Sequence, residues 1–211
     1  MLIIVIDITG SMEPYINALR KDLPGIIALS SLIGFRNFKI VAYRDYDKKN
    51  DLIWTRTYDA ATIDNVYNDV KDLKDGGGGG FCEAFKTALL TCDSNAYVIH
   101  LTDSAPHNDE KFTSIPVCEY GENQLSSMPC LEEYNKSTQC KLDGQGMREK
   151  MKLRQMFKID NIIKWCIDRN IKVININTTV DYVGIKLSAA TDGEVYILKD
   201  FDDHILLKVI L

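Results

Sequence analysis

The amino-acid sequence predicts a doubly wound, three-layer α/β/α domain built on a mostly parallel six-stranded sheet. Three observations predict this class. Residues 2–6 are five consecutive apolar residues, which is typical of a strand buried on both faces of a parallel sheet. Strand-like runs and helical patterns then alternate along the chain. Asp7 directly follows the first strand and Asp103 follows a later one, at the carboxyl ends where such sheets hold their ligands.

Five further segments have the composition of strands. They cover residues 38–43, 52–57, 96–101, 171–176 and 194–198. The link formed by residues 45–51 is short and polar, so we expect the third strand to return antiparallel, as a hairpin with the second.

Helical spacing of apolar residues predicts the helices between these strands. Pro14 suits the first turn of a helix that runs towards Ser31, although Pro24 and Gly25 are expected to kink or split it. The other helices are predicted over residues 62–70, 83–90, 155–169, 180–191 and 202–211.

Length and composition predict a single domain over residues 1–211. With 45% hydrophobic and 26% charged residues, the chain can bury a full core. Its net charge of -5 argues against a nucleic-acid or anionic-membrane partner. The longest apolar runs fall short of the roughly 20 residues of a membrane span, and residues 2–6 are too short for the core of a signal peptide.

Six cysteines occur without a CxxC pair and without a secretory signal, so we interpret them as reduced thiols of a cytoplasmic protein. They are Cys82, Cys92, Cys118, Cys130, Cys140 and Cys166. A small zinc site formed by Cys118, Cys130 and Cys140 with His107 is the alternative, although the spacings match no common zinc module.

Two segments without regular periodicity stand out. Five consecutive glycines, residues 76–80, favour a close backbone approach or unusual φ and ψ angles, with a flexible linker as the alternative. Residues 104–145 form a long polar segment, which we interpret as a loop insertion that shapes a binding surface.

The residues at the two strand ends favour a divalent cation. Asp7, Thr9 and Ser11 offer a carboxylate and two hydroxyls, and Asp103 adds a second acid. Such hard oxygen donors suit Mg²⁺ best, with Mn²⁺ or Ca²⁺ as alternatives. A cation held largely by neutral hydroxyls keeps an open, electrophilic position. That position can recruit an external carboxylate or polarise a phosphate for hydrolysis, so two functional classes remain open.

Four segments together resemble the von Willebrand factor type A (vWA) domain and its metal-ion-dependent adhesion site (MIDAS). The first is the Asp-x-Thr-Gly-Ser-Met form of the MIDAS motif, typical of the intracellular branch that includes the alpha-kinase-associated A domains. The others resemble that branch's Val-Ala-Tyr-Arg-Asp strand, its Thr-Asp-x-x-Pro-His segment and its Ala-Thr-Gly-Gly turn. The matching positions are residues 7–12, 40–45, 100–107 and 189–196. The resemblance spans essentially the whole chain and implies a Rossmann-like vWA fold with one antiparallel edge strand.

The resemblance also implies a ligand set. Its metal-site residues are Asp7, Thr9, Ser11, Asp103, Glu83 and Asp45. Gly80 stands where the family's middle motif usually supplies a side-chain oxygen, so Glu83 or Asp75 is expected to reach in, or water or a backbone carbonyl replaces that ligand. Asp45 should emerge at the same sheet edge, with an ion pair to Arg44 as the alternative.

Three functions follow from these patterns. The first is a metal-dependent protein-interaction module that binds an Asp or Glu of a partner protein, as a piece or relative of a larger intracellular protein or complex. The second is a haloacid-dehalogenase-type phosphohydrolase with Asp7 as nucleophile, because residues 7–11 resemble the Asp-Lys-Thr-Gly-Thr motif of the cation pumps. The third is a structural scaffold with a vestigial metal site. For Asp7 and Ser11 individually, capping of the following helix is the alternative to a metal role.

Overall fold

A computed structural model of the chain describes residues 1–44, 53–59, 61–73, 76, 85–104, 159–178, 180–198 and 207. These residues form a sheet of six strands in the order β3-β2-β1-β4-β5-β6. The strands are β1 Leu2–Asp7, β2 Phe38–Tyr43, β3 Ile53–Tyr58, β4 Tyr97–Thr102, β5 Lys172–Asn177 and β6 Val195–Ile197. β3 is antiparallel to β2 and lies at the edge, and the other paired strands are parallel. The predicted sheet class is confirmed.

The helices lie on both faces of this sheet. They are α1 Glu13–Leu32, α2 Asn65–Asp72, α3 Phe85–Leu89, α4 Ile159–Asp168 and α5 Tyr182–Ala190, and a 3-10 turn covers Gly10–Met12. Alternate residues of β1 separate the two interior layers, because successive strand side chains point to opposite faces. Leu2, Ile4 and Ile6 pack with α1 and α2. Ile3 and Val5 pack with α3, α4 and α5.

β1 is the strand at which the order of the sheet reverses. The chain moves outward from β1 to β2 and β3, and then crosses to β4 on the other side of β1. In open α/β sheets, the crevice for ligands lies outside the carboxyl ends of the strands at such a reversal. By this rule a ligand site is expected next to Asp7, the last residue of β1.

The first helix is not split at Pro24 and Gly25, which was one of the two expected outcomes. α1 is one continuous helix of 20 residues with Pro24 inside it. Its buried face includes Ile16, Leu19 and Ile26, and packing of an apolar face stabilises helices more than local propensity does. Gly25 has a packing role, since a Cβ there would lie 2.7 Å from a methyl carbon of Leu207.

The remaining predictions agree in element type and differ by a few residues in their ends. α2 begins at Asn65 rather than Thr62, because the preceding residues form turns. Of the predicted closing helix, only Leu207 is described, and it is helical. Cys92 and Cys166 are buried free thiols, whereas the four other cysteines and His107 lie outside the described residues. Among the described residues, no helix combines the length and apolarity that a membrane crossing requires.

Candidate metal centre at the carboxyl edge of the sheet

Asp7 is the fixed centre of the candidate site. Its side chain is fully buried at the end of β1. Oδ1 accepts a hydrogen bond from the Thr9 amide at 2.8 Å, which closes a local turn of the kind that Asp favours. Oδ2 lies 3.5 Å from the Thr102 hydroxyl of the neighbouring strand. The carboxylate is therefore held in one orientation from two sides.

Thr9 supplies a buried side-chain oxygen that has no hydrogen-bond partner among the described residues. The residue is 4% exposed, and its Oγ1 makes no hydrogen bond to any group in the described part of the chain. A buried hydroxyl left unpaired costs about 1–3 kcal/mol. A hard cation bound at this oxygen would remove that cost, so Thr9 fits the predicted metal role. Ser11 lies two residues further on, exposed in the 3-10 turn.

Asp103 directly follows β4, next to β1. The two strands are parallel and pair Ile6 with Leu101, so Asp7 and Thr102 lie level at the same edge. The phenol of Tyr15 on α1 responds to both acids. The pKa of Tyr15 is raised to about 12, mainly by burial; the nearby Thr178 side chain lowers it, and the negative charges of Asp103 and Asp7 contribute to the rise. The two acids thus act on one buried group from neighbouring strand ends.

Polar groups of β4 and β5 order the backbone around Asp103. The Thr102 hydroxyl accepts from the Ser104 amide at 3.1 Å, and Asn177 Nδ2 donates to the Ser104 carbonyl at 3.4 Å. Thr102 and Asn177 are both buried. Sequence reasoning missed these two residues, although each ends a strand next to the predicted site, and that position was the available signal.

The start of the glycine run lies beside the end of β1. The Gly76 amide donates to the Ile8 carbonyl at 3.2 Å. Gly76 has a φ of 148°, which L side chains rarely adopt, so at this position the run serves an unusual backbone conformation rather than a close approach. Asp45, Asp75, Gly80 and Glu83 lie outside the described residues, and their predicted roles stay predictions.

The helix-capping alternative has no support in the geometry. The 3-10 turn begins after Thr9 and α1 begins after Met12, and neither start carries a side-chain cap. Within the described residues, no three His, Cys, Asp or Glu side chains group together as a metal site. The candidate set there has only two such residues, Asp7 and Asp103, and its other two oxygens are the hydroxyls of Thr9 and Ser11.

Comparison with solved structures identifies the class of fold. The VWA domain of SpRpn10 superposes with a TM-score of 0.53 at 11% sequence identity, over 93% of this chain and 86% of that one. The chain therefore has the fold of a von Willebrand factor type A domain, as its sequence predicts. No protein-family model matches the sequence.

Two curated proteins are similar in sequence over about half of the chain. One is described as an ariadne-like RING finger protein of Acanthamoeba polyphaga mimivirus, 32% identical over 112 residues, which are 51% of this chain and 11% of that protein. The other is the alpha-protein kinase vwkA of Dictyostelium discoideum, 26% identical over 122 residues, 52% of this chain and 19% of the kinase. The match thus spans less than a fifth of either relative's length.

Proposed function

We propose that this vWA domain is a protein-interaction module that binds an acidic side chain of a partner protein through a divalent cation. Mg²⁺ is the ion that the donors suit best, and Asp7, Thr9, Ser11 and Asp103 would hold it. The observation that carries this proposal is the buried Thr9 hydroxyl, which has no hydrogen-bond partner among the described residues and belongs to the segment that follows β1, where the strand order reverses. Asp45 and Glu83 would complete the set.

The arrangement favours recognition because one side of the site is open. Asp7 and Thr9 are buried, whereas Ser11 is exposed and Asp103 is partly exposed. Ligands on the inner side would hold the cation, and its outer side would face a partner. Mg²⁺ sheds its water reluctantly and usually keeps part of its coordination shell for an external group. A carboxylate of a partner protein meets that requirement.

The relatives support an interaction role within a larger assembly. The fold is that of the SpRpn10 VWA domain, and the sequence matches short parts of a RING finger protein and an alpha-protein kinase. We infer that the domain binds a protein, that it acts inside the cell and that its place is within a larger protein or complex.

Metal titration of two variants tests the proposal. Isothermal calorimetry with Mn²⁺ should detect one site in the wild-type protein. Asp7→Asn should abolish it, because an amide lacks the charge of the carboxylate. Thr9→Val should weaken binding while leaving the metal-free protein as stable as the wild type or up to about 2 kcal/mol more stable, since valine removes an unpaired buried hydroxyl.

Two controls separate the site from its surroundings. Asp168→Asn changes an exposed carboxylate that pairs with Lys164, and it should leave Mn²⁺ binding unchanged. Ser188→Ala removes another buried hydroxyl that lacks a partner among the described residues, and it should affect stability but not binding. Equal Mn²⁺ affinity in wild type and Asp7→Asn would end the metal proposal.

Hydrolysis is the outcome that would change the functional class. In that class Asp7 would be the nucleophile, and its carboxylate is fully buried at the end of β1. Turnover of p-nitrophenyl phosphate that depends on Mg²⁺ and disappears in Asp7→Asn would replace the interaction module by a phosphohydrolase. Partner binding that is identical with and without chelator would indicate a scaffold.

A further inference from the structure

Ile8 separates Asp7 from Thr9, and both of its backbone polar groups are held by other parts of the chain. Its amide donates to the Tyr43 carbonyl at the end of β2, at 2.9 Å. Its carbonyl accepts from the Gly76 amide at 3.2 Å. The Ile8 side chain is 3% exposed within the α1 layer of the core. The position of Ile8 is therefore fixed by hydrogen bonds of its amide and its carbonyl and by the burial of its side chain.

Arg44 completes this arrangement. It follows Tyr43 directly, and its Nη1 donates to the Gly76 carbonyl at 3.0 Å. Gly76 is thus bound through its amide to Ile8 and through its carbonyl to Arg44. The hydrogen bond from a guanidinium is charge-assisted, and such bonds are stronger than neutral ones. Its partial burial limits competition from water.

The backbone of Gly76 makes both bonds in an unusual conformation. Its φ of 148° lies where side chains are strained, although the space around a Cβ there is nearly open, with Arg44 Nη1 at 4.0 Å. Glycine is required at this position by the backbone angle rather than by crowding. The first glycine of the run therefore has a specific structural task.

We propose that Arg44 and Gly76 are positioning residues of the metal site, which together set the relative placement of Asp7 and Thr9. The Ile8 carbonyl and the Thr9 amide belong to the same peptide group. The hydrogen bond from Gly76 to that carbonyl orients the group, and its amide in turn donates to the Asp7 carboxylate at 2.8 Å. Arg44 acts on the site through Gly76 and Ile8. This inference rests on the proposed metal function for its effect on affinity.

The hydrogen bonds that join Arg44 to Gly76 and Gly76 to Ile8, here called the clamp, can be tested by amide exchange without any metal. In the metal-free protein, residue-resolved hydrogen exchange by NMR should show faster exchange of the Gly76 and Thr9 amides in Arg44→Met than in wild type. Arg44→Lys keeps a cationic donor and should restore part of the protection. Unchanged exchange at both amides in Arg44→Met would overturn the clamp.

The effect of these hydrogen bonds on the metal site is measured by Mn²⁺ affinity. Arg44→Met and Gly76→Ala should each weaken Mn²⁺ binding about tenfold or more, the usual effect of removing a group that orients metal ligands. Two matched controls carry the same chemical changes elsewhere. Arg56→Met removes a half-exposed arginine that bonds Asp69. Gly34→Ala strains a glycine with a φ of 92° that has no heavy atom within 4 Å of an added Cβ. Both should bind Mn²⁺ like the wild type.

The two readouts distinguish failure of the inference from failure of the proposed function. Faster exchange with unchanged Mn²⁺ affinity would show that the clamp does not position the ligands. Equal loss of affinity in Gly76→Ala and Gly34→Ala would show a general loss of stability and would also overturn the inference. If the wild-type protein binds no Mn²⁺, the proposed function fails, and the exchange of Gly76 and Thr9 alone decides whether the clamp exists.

Discussion

His100 lies fully buried on β4, two residues before Thr102, between groups of three other elements. Its Nε2 is 2.7 Å from the Tyr43 hydroxyl, and the Phe85 ring stacks on it at 3.7 Å. Asn175 is its neighbour in β5, yet neither His100 Nδ1 nor Asn175 Oδ1 makes a hydrogen bond of standard geometry within the described residues. His100 is therefore a core histidine, and one of its two ring nitrogens has no hydrogen-bond partner of standard geometry among the described residues.

Burial makes His100 a source of pH-dependent stability. It lowers the pKa of His100 to about 3, against a smaller opposing effect of Asn175. The folded protein favours the neutral form of His100. The contribution of this group to the free energy of unfolding is therefore fully present above the ordinary pKa of about 6.5 and is lost as the pH falls towards 3. Lowering the pH from 8 to 5 should cost roughly 2 kcal/mol of the free energy of unfolding through this group.

Urea denaturation of wild type and His100→Gln at both pH values checks this. Glutamine keeps an acceptor for the Tyr43 hydroxyl and cannot titrate, so the variant should lose about 2 kcal/mol less than the wild type between pH 8 and 5. Carboxylates contribute equally to both proteins and cancel in the comparison. The same pH dependence in both would show that His100 is not neutral and constrained in the fold.

At the scale of elements, strands were more predictable than helices. The strands β1 to β5 were each located within one residue, and the signal is clearest in β1, where burial on both faces leaves a continuous apolar run. α1 shows the opposite case. Pro24 and Gly25 locally argue against a helix, and only the packing of the buried face of α1 onto the sheet overrides them.

The site was predictable only where its residues follow one another in sequence or end a strand. Asp7, Thr9 and Asp103 were predicted in this way, and their role as metal ligands stays a prediction. The bond from Arg44 to Gly76 joins residues 32 positions apart, and Tyr15 meets the field of Asp103 across the fold. No periodicity encodes such contacts, since they depend on how β1, β2 and α1 come together.

The packing of α5 on β5 gives a prediction for an element. Gly184 lies in the first turn of α5, and a Cβ there would be 1.8 Å from Asn175 Nδ2 and 2.6 Å from Asp181 Oδ2. Asp181 caps the helix by accepting from the Val183 and Gly184 amides. Gly184→Ala should therefore destabilise the protein by about 1–3 kcal/mol through overpacking, even though alanine favours helices by about 1 kcal/mol.

A double-mutant cycle tests whether Asn175 causes the loss of stability in Gly184→Ala. Asn175→Ala removes the closest clashing atom, so Gly184→Ala should cost less in the Asn175→Ala background than in wild type, as measured by denaturant unfolding. Gly184→Ala that is as stable as wild type would mean that α5 does not pack this closely on β5. Equal costs in both backgrounds would place the clash on the Asp181 cap instead.

The whole molecule combines a rigid sheet with a site at one edge of it. The β1–β4 and β4–β5 pairings bring Asp7, Thr102 and Asn177 to the same edge. Both interior layers pack against this sheet, one through α1 and α2 and the other through α3, α4 and α5. The placement of Asp7, Thr102 and Asn177 thus follows from strand register, and it should tolerate a change in the length of the segment between β4 and β5.

This dependence predicts the effect of removing the long polar segment. Apart from Ser104, residues 104–145 lie outside the described residues, and their role in partner choice stays a prediction. Replacing residues 106–145 by a short Gly-Ser linker should preserve cooperative thermal unfolding and Mn²⁺ binding, because β4 and β5 pair through buried apolar residues and loop-closure entropy changes slowly with length. Partner binding should be lost or redirected. A linker variant that no longer unfolds cooperatively would show that the segment belongs to the core, and unchanged partner binding would show that recognition lies entirely with the metal edge.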